Sequence, residues 1–585
     1  MSQKLAQGDV SAAAAADGPR RSGWIIGAAW DLLLFIATPL VILPVLWLSR
    51  LSFSPDAIYG FVAAFGATGH HLPGLMRAYG DRALFRRFRV RFTVVPLLLL
   101  GTTLPLLFTE LQQGMMVILV AWGFWHGLMQ VYGFARIYDA KRGDHDPRTV
   151  RLDWLLCLSW FTAGLVNSNG RVYQALEVFH QSGGPLIGPA WIDGVRVLCN
   201  CGTALVTVAY LVHLLSRRTA GHPPNVLKLL TLAISFAYWW YAMVEIDNIL
   251  FGIALFEIFH DVQYLAIVWV FNRKRVDGDP NVGSFSRFLF RRSAAMLGLY
   301  VGLVVGYGFV SSLQQSISIV PLQNVLIAVV WTSTLLHFYF DGFIWKVRES
   351  GTQAGLGIAR GLMAQESRPL SDGQIHAAKW TPFFLAVAAL ALSQWFIAGL
   401  DETQALRTQR ELTRYQHLVR VLPRYDHAHL SLGTRHYAEG DLNHAGKSFD
   451  RALVLSGQNN ANAHYNRGLV DAALKQLPTA ITHYQRSLEL EPLSEQAHHV
   501  HFALGAALYS LDDLDGAETH YQKALAISPR FAIAQLGLGR LYKDTGQTNK
   551  ARQHLQTAVD LLSDDAPGGD AQLRAAQQAL KSLDR

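Results

Sequence analysis

Residues 248–271 read NILFGIALFEIFHDVQYLAIVWVF, 24 residues with only Glu257, His260 and Asp261 ionisable. About 20 apolar residues in a helix cross a bilayer, so this stretch has the length and composition of a membrane span. Charge inside such a span is costly and therefore marks function or a specific partner. Here the polar residues are not scattered. Glu257, His260, Asp261 and Tyr264 follow i, i+3, i+4, i+7 and share one helix face.

Working outward from that stretch, ten more candidates appear, near 24–48, 57–78, 92–110, 115–138, 152–168, 192–215, 225–244, 293–313, 319–345 and 380–399. The whole chain of 585 residues is 51% hydrophobic and 16% charged, with a mean hydropathy of +0.19. A soluble domain carries about 25% charged residues, so a single soluble globule and a disordered chain are both excluded. Cys157, Cys199 and Cys201 fit neither a disulfide framework nor a CxxC metal site. The net charge of +8 sits mostly in alternate short loops: 77–91, 136–151, 217–228 and 273–292 are basic, while 49–56, 111–114, 169–191, 245–247 and 314–318 are not. That is the positive-inside pattern of an inner-membrane protein, not a nucleic-acid-binding surface. We read residues 1–23 as a disordered cytoplasmic tail, since no cleavage site follows the first apolar stretch. Residues 24–400 form a multi-pass transmembrane domain. An odd number of spans puts the C-terminal half outside, in the periplasm of a Gram-negative cell.

Three other spans carry histidines at a similar depth. His70 and His71, His126, and His337 with Asp341 join Glu257, His260 and Asp261; in each span a histidine lies 9–13 residues before the first basic residue of the inner loop. His337 and Asp341 share a face, as do His126 and Gln130. His70 and His71 are adjacent, about 100° apart around a helix, so they cannot both face inward without strain. Glu-x-x-His on a helix is the pairing used by di-iron carboxylate bundles. Imidazole with carboxylate suits iron, zinc or manganese. We expect a metal centre held by His70, His71, His126, Glu257, His260, His337 and Asp341, with Glu257, Asp261 and Asp341 as the catalytic carboxylates. Trp122, Trp125, Phe256, Tyr264, Trp269, Phe338 and Trp345 would keep it dry and receive a lipid-like substrate. The corresponding function is a non-haem iron oxidoreductase, with a di-iron centre as one form of it. The histidine boxes HxxxH and HxxHH of membrane desaturases are absent. Haem handling, a membrane-anchored scaffold or assembly factor without metal, and a transporter with a histidine proton relay remain open alternatives.

From residue 426 the chain repeats with a period near 34. Leu432, Gly433, Gly440, Ala445, Phe449 and Ala452 return as Gly468, Ala480, Tyr484 and Pro492. They return again as Leu504, Gly505, Ala517, Tyr521, Ala524 and Pro529, and last as Leu538, Gly539, Tyr542, Gly546, Ala551, Leu555 and Ala558. This pattern resembles the tetratricopeptide repeat (TPR) over about 426–563, with 565–583 as a capping helix and 401–425 as a helical linker. The resemblance implies an all-α solenoid in the 426–585 domain whose groove binds a protein or peptide partner. His483, His498, His499, His501 and His520 read as surface or groove residues of that solenoid.

Overall fold

The computed structural model describes residues 23–583 except 110, 279–281, 318, 346–351, 353–355, 357–371, 399–402, 495 and 565–569. The expected tail at 1–23 lies outside the described residues apart from Gly23. The fold is all-α, with no strand among the described residues. Two compact units are present: Met1–Leu48, Ile58–Gly184 and Asp193–Gly399 form the first, and Ser49–Ala57, Pro185–Ile192 and Leu400–Arg585 the second.

Among the described residues of the first unit, nine helices are long and apolar enough to cross a membrane, or ten if the pair Ala28–Ile36 and Thr38–Ser49, bent by 51°, counts as one. The sequence pattern suggested eleven, and the difference lies at 57–78. That stretch is not one continuous helix. It runs as Pro55–Phe61, a π-helical segment Val62–Thr68, and then His71–Gly80. Neighbouring groups press on it at its small residues. A Cβ on Gly66 would fall 2.3 Å from an Asp261 oxygen, and one on Gly69 would fall 2.8 Å from the Val304 carbonyl oxygen. Gly308 repeats the pattern from the other side, at 2.2 Å from the Ala64 carbonyl oxygen. A π-turn widens the helix and redirects the side chains after it, a frequent device at functional sites.

A buried charge network ties four helices together. Arg136 and Asp139 come from Gln113–Arg142, Asp153 from Pro147–Asn167, Tyr210 from Pro189–Thr219 and Lys228 from Val226–Trp240. Arg136 reaches Asp139 at 2.7 Å and Asp153 at 2.5 Å; Lys228 Nζ reaches Asp139 at 2.9 Å and Asp153 at 3.2 Å. The Tyr210 hydroxyl donates to Asp153 at 2.9 Å. Two cations balance two carboxylates that are both 0% exposed. The loop-charge pattern placed Arg136 and Lys228 in inner loops, but both are drawn inward to these carboxylates. Arg77 is drawn inward too, its guanidinium stacked 4.1 Å over Phe271 and 4.0 Å over Trp345.

In the second unit, the linker helix spans Gln404–Val421. Four helix pairs follow: Asp426–Ala438 with Leu442–Leu455, Ala461–Ala473 with Leu477–Leu490, Ala497–Ser510 with Leu514–Ile527, and Ala532–Asp544 with Thr548–Asp564. Asp570–Lys581 closes the series. The repeated glycines make the seams. A Cβ on Gly433 would lie 2.6 Å from the Phe449 ring, on Gly468 2.6 Å from Tyr484, on Gly505 2.9 Å from Tyr521 and on Gly539 2.6 Å from Leu555. Ala445, Ala480, Ala517 and Ala551 are all 0% exposed in the same seams. The turn inside each repeat needs one left-handed residue, filled by Gly440 (φ 80°), Lys475 (64°), Asp512 (63°) and Gly546 (73°).

Two outcomes are expected from this packing. Lys228→Met leaves two buried carboxylates facing one cation, and should lower stability by about 3–5 kcal/mol in denaturant unfolding in detergent. Gly505→Leu drives a side chain into the Tyr521 ring. It should cost about 1–3 kcal/mol, read as faster amide exchange across 497–527 than in the first repeat.

Candidate metal centre

Four separate stretches of chain deliver the site. His70 immediately follows the π-segment and caps His71–Gly80; His126 lies in Gln113–Arg142, His260 in Ile249–Gly278 and His337 in Val320–Ile344. All four are buried, and one ring nitrogen from each lies within 4.8 Å of the others. His337 Nε2 is 3.0 Å from His70 Nε2 and 3.0 Å from His126 Nε2. The His260 ring centroid is 5.1 Å from that of His70 and 4.9 Å from that of His126.

The tautomer of His70 follows from its neighbours. Its Nδ1 faces two acceptors, an Asp261 oxygen at 2.7 Å and the Gly66 carbonyl at 3.2 Å, so the ring proton belongs on Nδ1. Nε2 then carries a lone pair aimed at the other imidazoles. A neutral ring nitrogen has either one proton or one lone pair, so His337 Nε2 cannot form two good hydrogen bonds at once. A cation between the nitrogens that face one another would accept a lone pair from each. Metal–nitrogen bonds of about 2.1 Å place neighbouring ligands about 3.0 Å apart at right angles, the spacing of His337 Nε2 to His70 Nε2 and to His126 Nε2.

Asp341 brings a carboxylate beside the four rings. One of its oxygens accepts hydrogen bonds from the Tyr264 hydroxyl and the Trp345 indole N–H, both at 3.0 Å. The other oxygen points at the cluster, 3.8 Å from His337 Nε2 and 4.0 Å from His126 Nε2. A carboxylate fixed through one oxygen and presenting the other is oriented as a monodentate ligand. Gly74 makes the arrangement possible, because a Cβ there would sit 3.1 Å from the Tyr264 oxygen and 3.6 Å from His337 Nδ1.

The other residues expected in the donor set lie beside it. His71 packs against the cluster, its ring 4.9 Å from that of His70, but directs Nδ1 out of it. Its Nδ1 pairs with Ser333 Oγ at 3.0 Å, Ser333 pairs with the Tyr307 hydroxyl at 2.7 Å, and the His71 ring stacks on His337 at 4.8 Å. Asp261 serves His70 Nδ1. Glu257 lies outside the four-histidine group and instead lines a cavity of about 140 Å³. Val62, Ala67, Phe256 and Phe338 form apolar walls of that cavity, and His70, His126 and His260 form its polar end. Gln130 donates to the His260 carbonyl at 3.0 Å and to Gln263, so it braces the backbone of one ligand helix.

Of the expected aromatic shell, Phe338 packs 4.9 Å from His126, and Tyr264 and Trp345 hold Asp341. Trp269 packs instead on Phe290 and Tyr300, and Trp125 is 42% exposed. Sequence reasoning did not single out Ser333, Tyr307, Gly66 or a site role for Gly74. Ser333 was within reach of it, being four residues before His337 and so on the same helix face. The two glycines carry no such signal, because their role is to leave room.

Comparison with known proteins bears on the second unit. Two family models, both described as tetratricopeptide repeat, match residues 459–530 and 508–580. No curated protein matches the chain. Among solved structures, MamA is 23% identical over 26% of this chain and 88% of its own, with a TM-score of 0.24. YrrB, described as a TPR protein with an unusual peptide-binding site, is 20% identical over 36% of this chain and 98% of its own, with a TM-score of 0.25. PilF of Pseudomonas aeruginosa is 16% identical over 31% of this chain and 82% of its own, with a TM-score of 0.26. Residues 459–580 are therefore tetratricopeptide repeats, members of a superfamily of protein-interaction modules.

Proposed function

We propose that this chain is an inner-membrane oxidoreductase with a buried non-haem iron site, acting on a lipid-like substrate and recruiting a protein or peptide partner through its repeats. The observation that carries the reading is the convergence of His70, His126, His260 and His337 within 4.8 Å in the apolar unit. Structural burial of one histidine is common, but four rings gathered nitrogen to nitrogen, with a carboxylate oxygen facing them, form the kind of donor set that holds a cation.

In this reading His70, His126, His260 and His337 hold the ion, with Asp341 as the carboxylate donor. Asp261 holds the tautomer and orientation of His70, while Tyr264 and Trp345 hold Asp341. The geometry supports a single ion, since Glu257 stands apart in the cavity wall. It also favours non-haem metal over haem, because nitrogens 3.0 Å apart leave no slot for a macrocycle between them. Nitrogen and oxygen donors without thiolate suit iron, zinc and manganese. Of these, iron supplies the redox chemistry that oxidation of an unactivated apolar chain requires. The cavity of about 140 Å³ beside the donors would seat that chain and exclude water, with Glu257 as a fixed carboxylate within it. The apolar helices and the basic inner loops support a multi-pass protein with a cytoplasmic N-terminus. The alternation of loop charge favours the repeats on the periplasmic side, with the broken stretch at 57–78 crossing as well.

The test is elemental analysis with a visible spectrum on protein purified in detergent, beside a His126→Ala, His260→Ala double variant. We expect near-stoichiometric iron, no Soret band, and loss of the metal in the double variant at unchanged yield of folded protein. A metal-free folded wild type, or metal retained in the double variant, would overturn the reading. Asp261→Asn removes only the orienting partner of His70, so it should keep the site but weaken metal affinity about 10–100-fold in a chelator competition.

A further inference from the structure

Repeats two, three and four set the same two positions against each other across their seams: the residue four before the seam glycine and the residue fifteen after it. In repeat two these are His464 and His483, whose Nδ1 atoms are 2.9 Å apart. In repeat three they are His501 and His520, with Nδ1 atoms 3.0 Å apart. In repeat four the pair is Gln535 and His554, joined at 2.6 Å from Gln535 Oε1 to His554 Nδ1. The sequence pattern read His483, His501 and His520 as surface or groove residues. They are half-buried between the two helices of a repeat, each with a partner.

The protonation chemistry of an imidazole pair differs from that of an imidazole with an amide. His464 Nε2 faces the Gln458 carbonyl oxygen at 3.3 Å, so its proton sits there and Nδ1 offers a lone pair to the N–H of His483. The contact survives while one of the two Nδ1 atoms keeps its lone pair. A second proton sets two N–H donors and two positive charges head to head. In repeat four the Gln535 oxygen accepts from His554 whether that ring is neutral or charged. The difference between the repeats is therefore one of proton capacity, not of packing.

The surroundings reinforce this. Burial holds His464 and His483 below the ordinary imidazole value, and the nearby cations Arg486 and Arg467 act in the same direction. Asp471, 3.8 Å from His483 Nε2, and Asp450 of the preceding helix pair oppose them in part. Burial, with His520 and Lys523, pushes His501 down to about 4. Burial and Lys523 lower His520, partly offset by Asp513. An unfolded histidine takes up its proton near pH 6.5. Below that pH the unfolded repeats bind more protons than the folded ones, so the stability of these seams is present above about pH 6.5 and is lost as pH falls toward 4.

We propose that the seams of repeats two and three are a proton-operated catch. Neutral His464–His483 and His501–His520 pairs close these repeats at neutral pH. Acid surroundings loosen them, together with the docking surface they carry, more than they loosen repeat four. There burial and Lys550 also lower His554, but Gln535 still accepts from the charged ring. The inference rests on the repeat unit alone and is independent of the metal reading.

Amide exchange of the full-length protein in detergent, followed by mass spectrometry at pH 7.5 and 5.5 and corrected for intrinsic rates, tests it. Peptides from 461–490 and 497–527 should exchange about tenfold faster at the lower pH relative to peptides from 532–564. In His464→Gln, His501→Gln, which copies the pair of repeat four, that excess should disappear. The reverse pair, His483→Gln, His520→Gln, should do the same and serves if the first variant does not fold. Equal acceleration in all repeats, or an acid response that persists in a folded variant, would overturn the proposal.

Discussion

Four imidazoles held within 4.8 Å of one another in an apolar helical body make an expensive local arrangement, and much of the first unit follows from it. Each ring nitrogen needs a defined partner, since an unsatisfied buried polar group costs roughly 1–3 kcal/mol. The partners are provided in layers. Asp261 and the Gly66 carbonyl fix His70, Tyr264 and Trp345 fix one oxygen of Asp341, and Ser333 with Tyr307 takes up His71. His70 Nε2, His337 Nε2 and His126 Nε2 are left facing one another at the centre.

Space for this gathering comes from glycine as much as from the polar residues. Gly66 admits the Asp261 carboxylate and Gly74 admits Tyr264 and Asp341, while Gly69 and Gly308 let the broken helix at 55–80 touch the Val304 helix almost backbone to backbone. The π-turn at Val62–Thr68 ends just before His70, so helix irregularity and ligand position coincide. The charge network of Arg136, Asp139, Asp153 and Lys228 solves a related problem elsewhere in the unit. It gives each buried charge an opposite neighbour and so fixes how four helices meet.

The repeat unit obeys a simpler rule. Each seam is a glycine facing a ring or a leucine, with a fully buried alanine beside it, and the turn between helices uses one left-handed residue. Because the rule is local and recurs every 34 residues or so, differences between repeats stand out. Lys475 and Asp512 occupy turn positions that Gly440 and Gly546 fill without strain, and histidine pairs occupy seam positions where repeat four has glutamine with histidine.

Periodicity and composition therefore determined a great deal. The all-α class, the apolar unit, the repeat register and the common depth of His70, His126, His260 and His337 all follow from patterns whose range is one helix or one repeat. Tertiary structure alone decided which of those residues meet. It gave His71 Nδ1 to Ser333, put Glu257 on the cavity wall, gave Asp261 to an imidazole, and drew Arg136 and Lys228 inward from loops. It also broke the helix at 57–78 and paired histidines that the repeat pattern read only as surface or groove residues. The reason is physical. Helical spacing fixes which residues share a face, but the approach of one helix to another is set by side-chain volume and by the partners a buried polar group finds, and those are properties of several segments at once.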